Sequence, residues 1–157
     1  DYGHFAVIAD RQTAPLLLVE AGTKPIGGTT GPGSWVWTEL WTDDVNDAAA
    51  FYHTVLGVAS DVLDRSGSDY GVLTSEGTAR AGMVTIPDEF ENLDPGWAPY
   101  VGVGDLTASL GQVEKLGGAV IFNLTEHPAQ GEVALIRDPS GAVLFLYQLG
   151  SHSEAAQ

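Results

Sequence analysis

The sequence predicts an α+β fold: two β-α-β-β-β halves, preceded by a separate N-terminal β-hairpin. Three observations carry this. Two helix patterns, each capped by Asp, start 105 − 44 = 61 residues apart. Each is preceded by one strand-like run and followed by three. An 18-residue strand-turn-strand segment also occurs twice: GHFAVIADRQTAPLLLVE (3–20) aligns without a gap on GEVALIRDPSGAVLFLYQ (131–148), with seven identical positions at an offset of 128. Repeated units are the mark of duplicated architecture.

The elements follow in order. Residues 3–20 read as a hairpin around Asp10. Its later copy turns on Asp138-Pro139-Ser140-Gly141, where Pro fixes φ and Gly takes the last turn position. Arg11 and Thr13 replace that Pro and Gly in the first copy, which weakens the turn signal there. A lone hairpin is marginal in water, so this one is expected to dock on a sheet edge. Residues 21–34 (AGTKPIGGTTGPGS) read as a linker. SWVWTELWT is the next strand. Asp44 then caps VNDAAAFYHTVLG, which Gly57 closes. Val45, Ala48, Tyr52, Val55 and Leu56 lie on one face of that helix. Strands are expected at 59–63, 69–74 and 80–86. The second half opens with WAPYVGVG, and Asp105 caps LTASLGQVEKLG, closed by Gly117. Strands at 119–123, 132–137 and 142–148 complete it.

The resulting organisation is a terminal hairpin (1–20), a linker (21–34), a domain (35–149, with modules 35–90 and 97–149) and a tail (150–157). If 131–148 is the last hairpin of its domain, 1–20 reads as the last hairpin of an earlier, similar one. The chain starts with Asp1, as after processing or cloning.

Composition narrows the function. The chain has 157 residues, 44% hydrophobic and 17% charged, enough for a real core. Its net charge is 6 − 21 = −15. That field repels phosphate backbones and anionic lipid, so neither nucleic acid nor a membrane surface is an expected partner, whereas cationic small molecules are drawn in. There is no Cys, which excludes disulfides, thiolate metal sites and a Cys nucleophile. The apolar runs 14–19 and 142–147 are too short to span a bilayer. No signal-peptide pattern is present, and a cytoplasmic location is expected.

Thr42-Asp43-Asp44, Phe51-Tyr52, Leu56-Gly57, Tyr100-Val101, Asp105-Leu106, Leu116-Gly117-Gly118 and Asp138-Pro139-Ser140-Gly141 occur in an order and spacing that resembles the vicinal oxygen chelate superfamily, the glyoxalase/bleomycin-resistance/dioxygenase group. The tandem branch, with a Trp-rich first strand and a closing Asp-Pro-x-Gly-Ala, is the most similar. The resemblance implies paired βαβββ modules whose mixed sheet curves into a cup around a ligand. It also implies, for metal-using members, His, Glu or Gln ligands on the first and last strands of each module. Counted from the capping and turn Asp residues, those positions here are Trp37, Ala98 or Pro99, Phe145, Leu17, and Gly82 or Met83. None is a usual ligand. Neither the usual metal nor another cofactor is therefore expected.

Strand alternation supplies the alternative site. Trp37, Glu39, Trp41, Tyr100, Phe145 and Tyr147 are expected to face the cup as ligand-binding residues, with Val36, Thr38, Leu40 and Thr42 facing the helix. Aromatic walls with a few polar groups suit an organic ligand, and Trp beside an anion suits a cation. The same rings would equally fill a closed core. Glu39 is the candidate catalytic acid/base; pairing with Arg80 or Arg137 is the structural alternative. His4, His53, His127 and His152 show no metal-binding spacing, and His127 lies in a loop near the cup mouth. Asn123-Leu124-Thr125 is a glycosylation sequon only in a secreted setting. The sequence thus supports a metal-free small-molecule binder. The alternatives are a lyase, isomerase or dioxygenase-type enzyme using an atypical metal site or Glu39, or an interaction domain with a filled cup. A homodimer, or pairing with a preceding domain, is the expected assembly.

Overall fold

A computed structural model describes residues 3–20, 31–65, 68–90, 93–127 and 131–149. Most of the linker (21–30) and the tail (150–157) lie outside the described residues. The chain has the α+β architecture of two β-α-β-β-β halves behind a hairpin. The strands are β1 (Phe5–Ala9), β2 (Pro15–Val19), β3 (Trp35–Thr42), β4 (Ala59–Arg65), β5 (Ser68–Ser75), β6 (Thr78–Thr85), β7 (Gly96–Val103), β8 (Ala119–His127), β9 (Gly131–Arg137) and β10 (Val143–Leu149). The helices are α1 (Val45–Leu56) and α2 (Leu106–Lys115). No helix among the described residues is long and apolar enough to cross a membrane.

Two compact units emerge, one of residues 1–27 and 38–98, the other of 28–37 and 99–157. In the first, strand order is β4-β5-β6-β3; β6 runs parallel to β3 and antiparallel to β5. α1 packs on this sheet because its apolar residues recur at helical spacing. Asp44 caps it, its carboxylate accepting from the Asp47 N–H at 2.9 Å, and Gly57 ends it at φ +69°, a left-handed conformation that suits glycine. Val45, Ala48, Ala49 and Tyr52 bury against Leu40, Leu73, Ala81 and Met83. Removing a side chain the size of Leu40 or Met83 from water contributes about 1.5–3 kcal/mol. The apolar stripe stops short of the expected length: Val55 and Leu56, in the last turn, remain exposed, and Ala49 completes the buried face instead.

The second unit has strand order β7-β10-β9-β8, with β7 parallel to β10. Asp105 caps α2 by accepting from the Ala108 N–H at 2.8 Å, and Gly117 follows its end at φ +85°. Leu106 of α2 buries with Ala134, Ile136 and Leu146. Gly33 N–H donates to Gly102 O at 2.7 Å and Gly102 N–H returns a bond to Ser34 O at 2.9 Å, which ties the chain before β3 to β7.

The N-terminal hairpin corrects one expectation. Among the described residues, β1 and β2 form a two-stranded sheet of their own and dock on no sheet edge. The turn holds the hairpin instead. Ala14 is fully buried in the core of the first unit, and Leu16 packs beside it. The turn forms as in the later copy: Asp10 N–H donates to Ala14 O (3.2 Å) and Asp138 N–H to Ala142 O (2.9 Å). Thr13 takes a left-handed φ of +70° where its counterpart Gly141 takes +100°. The Asp side chain makes this possible by accepting from the N–H groups two and four residues on, so the missing Pro and Gly are not essential.

Candidate functional site

Glu39 sits on β3 opposite Gly82 of β6. Its neighbour Leu40 enters the helix-side core, as alternation requires, so the Glu39 carboxylate projects from the other face. It is 8% exposed. Tyr70, on β5, donates its Oη–H to Glu39 Oε1 at 2.9 Å. Gly82 makes room for the pair: a Cβ there would stand 2.6 Å from Tyr70 Oη and 2.8 Å from Glu39 Cγ. Such contacts would force both side chains to move. A buried carboxylate needs hydrogen bonds to be tolerable, and the phenol supplies one. The chemistry on offer is a fixed anionic acceptor beside a phenol. It can hold an organic cation through a charge-assisted hydrogen bond, or take a proton.

The aromatic candidates fall as follows. In the first unit Trp41 is buried and its ring meets Phe90 at 5.8 Å between centroids. In the second, Tyr100 and Phe145 stack at 4.2 Å and 15°, both buried, because they are register partners on parallel β7 and β10. Phe122 of β8 meets Phe145 edge-on at 6.0 Å. Tyr147 and Trp37, also in the second unit, are half-buried. The structure thus brings Tyr100 and Phe145 together and puts Glu39 beside Tyr70, which the sequence reading did not single out. The signal for Tyr70 is the strand register, which a sequence discloses only after the hairpins are paired.

The positions counted from the capping and turn Asp residues hold Trp37, Ala98 or Pro99, Phe145, Leu17, and Gly82 or Met83; Met83 lies in the helix-side core and Leu17 is exposed. Among the described residues no three His, Asp or Glu side chains gather to hold a metal ion.

A second polar cluster was not foreseen. Trp97 Nε1–H donates to Tyr52 Oη at 3.1 Å, and Tyr52 Oη–H donates to Asp10 Oδ2 at 3.1 Å. Asp10 Oδ1 accepts from the N–H groups of Gln12 and Ala14. Burial, assisted by the Asp10 charge, pushes the Tyr52 phenol well above its usual range despite the Trp97 donor. Gln12 Oε1 accepts from Thr42 Oγ1 and from the Asp43 N–H, both at 2.7 Å, and Arg11 meets Asp47 at 2.6 Å. This cluster seats the hairpin turn on the start of α1. Among the histidines, His4 pairs with Glu20 at 2.9 Å on the surface, and the His53 ring bonds Val58 O at 2.7 Å beyond the end of α1. The His127 side chain and His152 lie outside the described residues.

This arrangement, two βαβββ units, is the glyoxalase/bleomycin-resistance fold. Methylmalonyl-CoA epimerase from Mycobacterium tuberculosis shares the fold, with a TM-score of 0.52 at 19% identity over 82% of this chain and 96% of that one. So does a trihydroxybiphenyl dioxygenase from Sphingomonas wittichii, with a TM-score of 0.59 at 16% identity over 93% of this chain and 56% of that one. Among curated sequences, the chain is 32% identical to CFP32 of Mycobacterium tuberculosis, named as a candidate glyoxylase, over 91% of this chain and 55% of that protein. It is also 32% identical to the anthracycline biosynthesis protein DauV of Streptomyces sp. strain C5, over 98% of this chain and 56% of that protein. The chain therefore spans about half the length of the curated relatives it matches. No protein-family model matches it.

Proposed function

We propose that this chain binds a small organic cation carrying a fused aromatic ring, with the Glu39 carboxylate as counter-charge and Tyr70 as its support. The observation that carries this is a buried carboxylate hydrogen-bonded to a phenol across a glycine that leaves both room. Trp41, next but one on the same strand, extends the aromatic surface on that face. The net charge of −15 favours a cation. The absence of ligand-type side chains at the family's metal positions supports binding without the family's metal. An enzymatic reading, with Glu39 as acid/base, rests on the same pair, and relatives named for glyoxylase and biosynthetic roles lend it weight.

Titration calorimetry with aminoacridine, a fused-ring cation, and acridine carboxylate, its anionic counterpart, tests the reading. The cation binds and the anion does not. Glu39→Gln weakens the cation about tenfold or more, the worth of a hydrogen bond to a charged group. Equal binding by Glu39→Gln would remove Glu39 from the site.

A further inference from the structure

The two copies of the repeated hairpin are buried in opposite places. In the second copy the strands are covered and the turn is open: Val133, Leu135 and Phe145 are 1%, 1% and 2% exposed, whereas the turn residues Pro139 to Ala142 are exposed. In the first copy the two ends of the turn are covered, with Arg11 and Thr13 between them exposed, and the strands are open. Asp10 and Ala14 are buried, whereas Phe5, Val7 and Leu17, which correspond to Val133, Leu135 and Phe145, are 73%, 71% and 53% exposed. Register places Phe5 opposite Val19 and Val7 opposite Leu17, so these side chains form one continuous apolar face. Both outer edges of the two-stranded sheet are without a strand partner among the described residues. An apolar hairpin with two such edges is a template for added strands.

The second copy specifies what fits. There β10 takes β7 as a parallel neighbour, from Phe145 opposite Tyr100 to Gln148 opposite Val103. β9 takes β8 as an antiparallel one, from Ala119 opposite Arg137 onward. α2 covers Ala134, Ile136 and Leu146 on the side away from Phe145. Transferred by the offset of 128, a parallel strand would lie along Leu17–Glu20, an antiparallel strand along Phe5–Ala9, and a helix over Ala6, Ile8 and Leu18. We infer that β1 and β2 are the docking surface for a β-α-β segment of the same kind as β7-α2-β8, which completes a four-stranded sheet around them. The Asp10 turn, seated by Tyr52, Gln12 and Arg11, then couples that sheet to α1. The second copy's turn lacks this coupling chemistry: Pro139 and Ser140 stand where Arg11 and Gln12 bind Asp47, Thr42 and Asp43.

A graft tests it on the full chain. A second copy of residues 96–130 is placed directly before Gly3, as 130 precedes Gly131, and amide hydrogen exchange is followed by mass spectrometry with sedimentation run alongside. In the original chain, amides in 5–9 and 15–19 exchange fast. In the grafted chain they slow by about tenfold or more while the protein stays monomeric. A companion graft carrying Phe5→Val, Val7→Leu and Leu17→Phe restores the second copy's side chains in case the first packs poorly. Unchanged exchange in both grafts overturns the proposal. So does a concentration-dependent dimer of the original chain that already protects these strands, because the occupant would then be a second copy.

Discussion

The hydroxyl of Tyr52 stands between a donor, Trp97 Nε1, and an acceptor, Asp10. Tyr52→Phe removes both bonds and leaves a buried carboxylate short of one donor. The expected loss is about 1–3 kcal/mol, measured by urea unfolding. The same hydroxyl sets a pH limit. Its folded pKa is raised, so its contribution is complete below the unfolded tyrosine value near 10 and is lost as pH climbs beyond it. The wild-type urea midpoint should therefore fall more steeply than that of Tyr52→Phe above pH ~10. Gly82→Ala is expected to cost about 1–3 kcal/mol and to displace the Glu39–Tyr70 pair, because its Cβ has no room. Glu39 could be assigned its face from alternation alone. Tyr70 and Trp97 could not be found that way, because each reaches its partner through pairing or packing between segments 31 and 45 residues apart.

At the scale of elements, the caps were the most legible feature. Asp44 and Asp105 both accept from the N–H three residues on, as a short acidic side chain before an apolar-periodic run should. Asp44→Ala and Asp105→Ala are each expected to cost about 1 kcal/mol, read from thermal unfolding. The first hairpin turn was harder to read, because its chemistry lies in Asp10 and not in a Pro-Gly pair. Thr13 there holds a left-handed conformation that costs a non-glycine residue about 1 kcal/mol. Thr13→Gly should therefore raise stability by a few tenths to about 1 kcal/mol, after the entropy of an added glycine is subtracted. The expected edge docking failed for a related reason. The alternating apolar residues of β1 and β2 specify a sheet face but not its neighbour, whereas Gln12 and Arg11 specify the start of α1.

For the whole molecule, a charge of −15 and two β-α-β-β-β halves behind a repeated hairpin were visible in the sequence, and the order of elements follows from them. The chemistry of the candidate site was only half visible, since strand alternation gives Glu39 its face but not the partner its carboxylate finds. Self-repulsion among the acidic groups should be relieved by salt, so the melting temperature is expected to rise between low and physiological ionic strength. The claim on which the functional account turns is that Glu39 is the counter-charge for an organic cation. The most direct test is a crystal structure of the chain with aminoacridine bound. The ligand nitrogen is expected within about 3 Å of a Glu39 carboxylate oxygen, with Tyr70 still donating to that carboxylate. A ligand bound elsewhere, with the Glu39–Tyr70 pair untouched, would contradict it.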